Sequence, residues 1–114
     1  MNDTDMSKDG GTIVRGLRME KQLSLKAVAE KADVNYVFLS RLERGLEKPS
    51  EELIRRLAAV LDYAGEINEL VVRFGKVPKS IEKLLLDDPE SVVELPAYFK
   101  SRRRKKAQTG GKND

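Results

Sequence analysis

The chain of 114 residues contains neither cysteine nor histidine. Without cysteine it forms no disulfide and does no thiol chemistry, and without either residue the usual zinc-ligand sets cannot be assembled. The missing histidine also removes the commonest general base. Aromatic residues make up 5% of the chain, so Leu, Val, Ile and Ala must supply most of one modest core. No apolar run approaches the ~18 residues that span a bilayer, and residues 1–12 are polar and acidic, unlike a signal peptide. No nucleophile–base pair and no phosphate-binding glycine loop is present, which makes an enzyme the least supported class. No cofactor is expected. The acids Asp87, Asp88 and Glu90 could suggest a metal cluster, but helix capping explains them with less, and no metal site is expected.

What is present is charge, unevenly spread. Asp, Glu, Lys and Arg make up 36% of the chain, for a net +3. Lys100, Arg102, Arg103, Arg104, Lys105, Lys106 and Lys112 stand against Asp114 alone, so residues 100–114 carry +6 and the rest of the chain −3. The basic character belongs to this tail. It reads either as a disordered solubilising end or as a non-specific DNA arm that adds salt-dependent affinity without sequence choice.

The apolar residues recur at helical spacing, and no stretch alternates with a period of two, so the chain is predicted to be all-α. Helix one is predicted from Thr12 to about Gln22, with Ile13, Val14 and Leu17 inward. Ser24 is a good N-cap for helix two, in which Leu25, Val28, Ala29 and Ala32 share a face. Asp33-Val34-Asn35 has room for a tight turn only. Asn35 can cap helix three, which is predicted to end at Arg44 ahead of Gly45, a residue suited to the left-handed position after a helix. Lys48-Pro49-Ser50-Glu51-Glu52 opens helix four, with Ser50 as cap and two acids in the first turn. Helix five carries Ile67, Leu70, Val71 and Phe74. Further on, Ile81, Leu84 and Leu85 mark a short amphipathic helix. Asp88-Pro89-Glu90 is another start signal, and Pro96 is expected to interrupt the helix that begins there.

The second and third helices form a more specific constellation. Ala29 sits where two helices would cross closely, and Val34 can plug the angle between them. Leu39 and Leu42 give helix three an inner face, leaving Tyr36, Val37, Ser40, Arg41 and Arg44 outward. An exposed helix of that mixture suits a major groove, whose base edges are read by polar and apolar side chains. The segment from Leu23 through Asn35, then Leu39-Ser40-Arg41-Leu42-Glu43-Arg44-Gly45 and Lys48-Pro49-Ser50, resembles a lambda-repressor-like (Xre/Cro) helix-turn-helix. The likeness extends over residues 12–74. The joint spacing of Ala29, Val34, Leu39, Leu42, Glu43, Gly45 and Pro49 carries it.

The resemblance implies a five-helix DNA-binding domain with helix three as reader. It places Tyr36, Val37 and Arg41 at base-contacting positions, with Asn35 assisting, and Arg44 at a phosphate-contacting position. Ser24, Lys26, Ser40 and Lys48 are further phosphate candidates. Arg18 and Glu43 match a structural ion pair. Two positions depart from the pattern. Leu25 stands where many relatives carry a phosphate-holding Gln, and Asp33 stands where many carry Gly. The segment 75–93 also resembles an extension known among such proteins.

The expected organisation is a disordered leader (1–11), a DNA-binding domain (12–75), a C-terminal helical extension (76–99) and a basic disordered tail (100–114). The extension either caps the domain's own core or forms a dimer contact through Ile81, Leu84, Leu85, Val92, Val93, Tyr98 and Phe99, and helix five could serve as the dimer surface instead. The leading expectation is a cytoplasmic, bacterial, archaeal or phage-encoded transcriptional repressor. It would bind inverted-repeat double-stranded DNA as a homodimer, away from any membrane. Rival readings are an antitoxin whose extension wraps a toxin, an immunity regulator of a mobile element, and a protein-interaction module that has lost DNA binding.

Overall fold

In the computed structural model the described residues are 9–113, with side chains through Arg104. They are helical throughout, with no strand among them. Two compact units divide the chain, Met1–Pro78 and Lys79–Asp114. Expectations for residues 1–8 and for the tail side chains beyond Arg104 lie outside the described residues.

The first unit holds five helices: α1 (Gly10–Glu20), α2 (Leu25–Ala32), α3 (Tyr36–Glu43), α4 (Glu51–Val60) and α5 (Ile67–Arg73). Each of the first four is opened by a side-chain cap that satisfies an otherwise orphaned N–H. Asp9 accepts from Thr12 N at 2.9 Å, Ser24 from Ala27 N at 3.0 Å and Ser50 from Leu53 N at 3.1 Å. Asn35 Oδ1 accepts from both Val37 N and Phe38 N.

The helices also end alike. A residue with positive φ follows each one: Gln22, Asp33, Gly45, Asp62 and Gly75. Behind it, the next N–H reaches back to a carbonyl five residues earlier: Leu23 to Arg18, Val34 to Ala29, Leu46 to Arg41, Tyr63 to Ala58 and Lys76 to Val71. This is the Schellman closure, in which a left-handed residue satisfies the last carbonyls. Glycine fits it without strain. Asp is among the few other residues that visit the left-handed region routinely, whereas Gln gains no such help.

The core follows from these faces. Val14, Val28, Ala29, Ala32, Leu39, Leu42, Leu53, Ile54, Leu57, Ala58, Leu61, Leu70, Val71 and Phe74 are buried, and Phe74 is the single aromatic among them. Leu17, Leu23, Leu25, Val34 and Phe38 pack against that cluster from its edge. Helix α1 packs on α3 and α5, α2 on α3 and α4, and α4 on α5. Arg56 Nε adds a polar tie from α4 to the Ala32 carbonyl at the end of α2, at 2.8 Å.

Helix α1 begins at Gly10, earlier than the apolar pattern predicts, because Asp9 caps it there, and its first two residues are glycines for a steric reason. Gly10 lies against the Phe74 ring, and Gly11 lies against the carbonyl oxygens of Leu42 and Glu43, so a Cβ at either position would overlap its neighbour. The last residues of the expected leader therefore bring α1 against the end of α5 through Gly10 and the end of α3 through Gly11. Gly11→Ala is expected to lower stability by about 1–3 kcal/mol, the range for forced overpacking. Chemical denaturation measures it, and an unchanged midpoint would show that α1 can shift at no cost.

The second unit has α6 (Lys79–Asp87) and α7 (Ser91–Asn113). Among its described side chains none is fully buried, and Leu85, Ser91 and Leu95 are half-buried. Helix α7 opens where the Ser91 N–H and hydroxyl both reach the Asp88 carbonyl, so the backbone of Asp88 sets the start. Pro96 does not interrupt this helix but lies inside it. The bond its missing N–H would give to Val92 is forgone, a local cost that the flanking turns absorb.

Candidate nucleic-acid interface

Helix α3 is pinned from behind. Leu39 and Leu42 are fully buried, and half-buried Phe38 extends their face to the core edge. Glu43 is the one buried charged residue among those described. Its carboxylate takes a two-point contact from Arg18, Nε to Oε2 at 2.7 Å and Nη2 to Oε1 at 3.0 Å. The third nitrogen of the fork, Nη1, donates to the Leu23 carbonyl at 2.9 Å. The hydrogen bond to Glu43 and the charge of its carboxylate raise the Arg18 pKa above the ordinary arginine value, against the opposing effect of burial. Arg18 therefore ties α1, the α1–α2 turn and the end of α3 together.

The opposite side of α3 is open. Tyr36 and Val37 are 44% and 58% exposed, and Arg41 and Arg44 are exposed beside them. Ser40 is half-buried, and its carbonyl receives a long 3.5 Å contact from Arg44 Nε. Asn35 is exposed but spends its side-chain oxygen on the helix cap, leaving its amide NH2 for any outside acceptor. Between α2 and α3 runs an open groove that brings Ser24, Lys26, Glu30, Val34 and Tyr36 together. Ser24 and Lys26 stand at the N-terminus of α2, the kind of helix end that can hold a phosphate. Lys48 stands apart. It lines a second depression with Asp9, Glu47, Arg73 and Phe74, its amine directed towards Gly75.

Two features of the site go beyond the sequence reading. Phe38 joins the inner face, which the i, i+3 pairing of Leu39 and Leu42 marks only in part. Glu47 takes the Nε of Arg41 at 2.9 Å. The signal for it is the Gly45 turn, which folds the chain back over the end of α3. Among the described residues no group of three metal-ligating side chains converges, and no helix is long and apolar enough to cross a membrane.

A capped helix, a tight left-handed turn and a second helix with a buried rear and an open front define a helix-turn-helix DNA-binding domain. A helix-turn-helix family model matches residues 14–66. An HTH-type transcriptional regulator of Mycobacterium tuberculosis is 35% identical over 65 residues, covering 57% of this chain and 45% of the relative. The transcriptional regulator ClgR of the same organism is 37% identical over 51 residues, covering 45% of this chain and 46% of ClgR. The chain thus spans about half the length of these two relatives. The HTH-type transcriptional regulator DdrOP3 of Deinococcus deserti is 30% identical over 96 residues, covering 77% of this chain and 73% of DdrOP3. Among solved structures, a SinR protein/SinI protein complex contains a chain 31% identical, with a TM-score of 0.48, covering 82% of this chain and 96% of that one. The chain belongs to the lambda-repressor-like (Xre) helix-turn-helix family of DNA-binding transcriptional regulators.

Proposed function

We propose that the chain is a cytoplasmic, non-catalytic transcriptional repressor that binds an inverted-repeat operator as a homodimer, with α3 of each subunit in a major groove. The observation that carries this reading is the outward face Tyr36, Val37 and Arg41, exposed on a helix whose rear is locked by Leu39 and Leu42. Tyr36 and Val37 offer apolar surface to thymine methyl groups, and Arg41 offers paired donors to a guanine edge. Ser24, Lys26 and Arg44 are assigned to flanking phosphates, which set register without reading sequence. Lys48 lines a different depression from the groove of Ser24 and Lys26.

Dimerisation is assigned to the second unit. Ile81, Leu84, Val92, Val93, Tyr98 and Phe99 are all at least 40% exposed there, with Leu85 half-buried and Tyr98 and Phe99 in edge-to-face contact at 5.4 Å. Exposed apolar residues recurring along two adjacent helices support an interaction face over a solvated one. A second reading rests on the same residues, in which they hold a different protein, as an antitoxin holds its toxin.

Selection of bound duplexes from a random pool, combined with sedimentation of the free protein, tests the proposal. A palindromic consensus with half-sites about 34–36 Å apart and a dimeric mass are expected. A single half-site with a monomeric mass would overturn the homodimer, and recovery of no consensus would overturn sequence-specific binding. Deletion of residues 100–114 is expected to flatten the salt dependence of binding, by about 0.9 in the logarithmic slope for every phosphate the tail neutralises. An unchanged slope would assign the tail to solubility alone.

A further inference from the structure

We propose that Glu47 is a positioning residue for base recognition, holding the Arg41 guanidinium by its Nε edge so that the two terminal NH2 groups are kept for a guanine. The inference rests on the reading of α3 as the base-reading helix.

The geometry comes from the end of α3. Gly45 adopts φ +79°, its N–H closes on the Leu42 carbonyl at 3.0 Å, and Leu46 N returns to the carbonyl of Arg41 itself at 2.9 Å. The backbone thus doubles back on residue 41, and the next side chain, Glu47, meets Arg41 from six positions away. Its Oε2 accepts from Arg41 Nε at 2.9 Å. No other polar partner of the Arg41 side chain is found among the described residues. Both side chains remain accessible, at 44% and 34% exposure, so the pair sits where DNA could meet it.

An exposed ion pair adds little to folding, because solvent screens it and two long side chains must be ordered. Ordering the arginine beforehand, however, lowers the entropy cost of engaging a base, which is how preorganisation raises affinity for one ligand over others. End-on contact to guanine O6 and N7 uses the two terminal nitrogens and leaves Nε free for the carboxylate. The carboxylate also repels phosphates, so it disfavours any duplex that does not satisfy Arg41. Both effects raise the ratio of specific to non-specific binding.

The test uses the full chain with Glu47→Ala, Glu47→Gln, Arg41→Ala and the Arg41→Ala/Glu47→Ala double variant. Each is titrated at one salt concentration against the selected duplex, its single-base-pair variants and random DNA, and melted without DNA. Glu47→Ala is expected to lower discrimination by roughly five- to tenfold, at the same base pair that Arg41→Ala relaxes. No further loss is expected in the double variant, and melting should be unchanged. Glu47→Gln, which keeps an acceptor oxygen, should retain part of the preference while binding random DNA more tightly. Equal strengthening on all duplexes would overturn the proposal in favour of plain charge repulsion. Loss of preference at a different base pair, an effect that persists without Arg41, or a large fall in melting temperature would also overturn it. If Arg41→Ala itself leaves every preference intact, Arg41 is not a base reader and this inference falls, while the reading of α3 through Tyr36 and Val37 stands or falls on the duplex selection.

Discussion

Glu43→Ala is expected to destabilise the first unit by about 3–5 kcal/mol, the cost of stranding one member of a buried ion pair. Whole domains are stable by only ~5–15 kcal/mol, so the loss is a large fraction of the total and should lower the melting temperature markedly. The cause is local. The Glu43 side chain is 4% exposed and that of Arg18 13%. Removing the carboxylate leaves Arg18 Nε and Nη2 without acceptors in a crowded site, while Nη1 keeps its bond to Leu23. Arg18→Ala is the mirror case and should cost a similar amount, because it buries an uncompensated carboxylate. The two losses should not add in the double variant, since one interaction is being broken twice. Urea denaturation of the four proteins in the cycle measures this. A loss below about 1 kcal/mol for either single variant, the ordinary range for exposed pairs, would show that water enters the site and that α3 is held by its apolar face alone.

Arg41→Ala should do the opposite, leaving the fold intact and relaxing sequence choice. A bidentate arginine–guanine contact is worth ~1–3 kcal/mol of discrimination, about five- to 150-fold. The stability change should stay within about 0.5 kcal/mol, as for a surface substitution away from special features. Binding to the selected duplex should weaken while binding to random DNA changes little, so the loss appears as a ratio. Competition titration against single-base-pair variants reads it directly. A fall in melting temperature comparable to that of Glu43→Ala would make Arg41 structural, and unchanged preferences would remove it from the base-reading set. Together the two substitutions separate the rear of α3, which holds the helix, from its front, which is free to meet DNA.

Much of this division is legible in the residues themselves. Ser24, Asn35 and Ser50 can be named as caps because short oxygen-bearing side chains precede apolar periodicity, and each accepts the expected N–H bond. Asp33 and Gly45 can be named as turn residues for their tolerance of the left-handed region, and both adopt it. The exposed triad of Tyr36, Val37 and Arg41 follows from the spacing of Leu39 and Leu42. Other features leave no local trace. Gln22 has no preference for positive φ, and its conformation follows from Leu23 packing on the core edge and the Arg18 fork closing on the Leu23 carbonyl. Gly10 and Gly11 pass for polar leader because a glycine records nothing about which neighbour it must admit. Pro96 reads as a stop because single-residue propensity outweighs, in a sequence, the continuity of the turns on either side.

Periodicity, caps and turn residues therefore determined by themselves that this protein is helical, with two short helices joined by a tight turn at residues 24–45, and the resemblance of that segment made it a helix-turn-helix. These are short-range signals, each written within a few positions of the backbone it controls. The tertiary structure alone decided that Gly11 meets the carbonyls of Leu42 and Glu43, and that Glu47 turns back onto Arg41. The same holds for the way Arg18 braces both the α1–α2 turn and α3. Those contacts join residues brought together by the packing of whole helices, and the free energy that selects them belongs to the assembled core, not to any one segment.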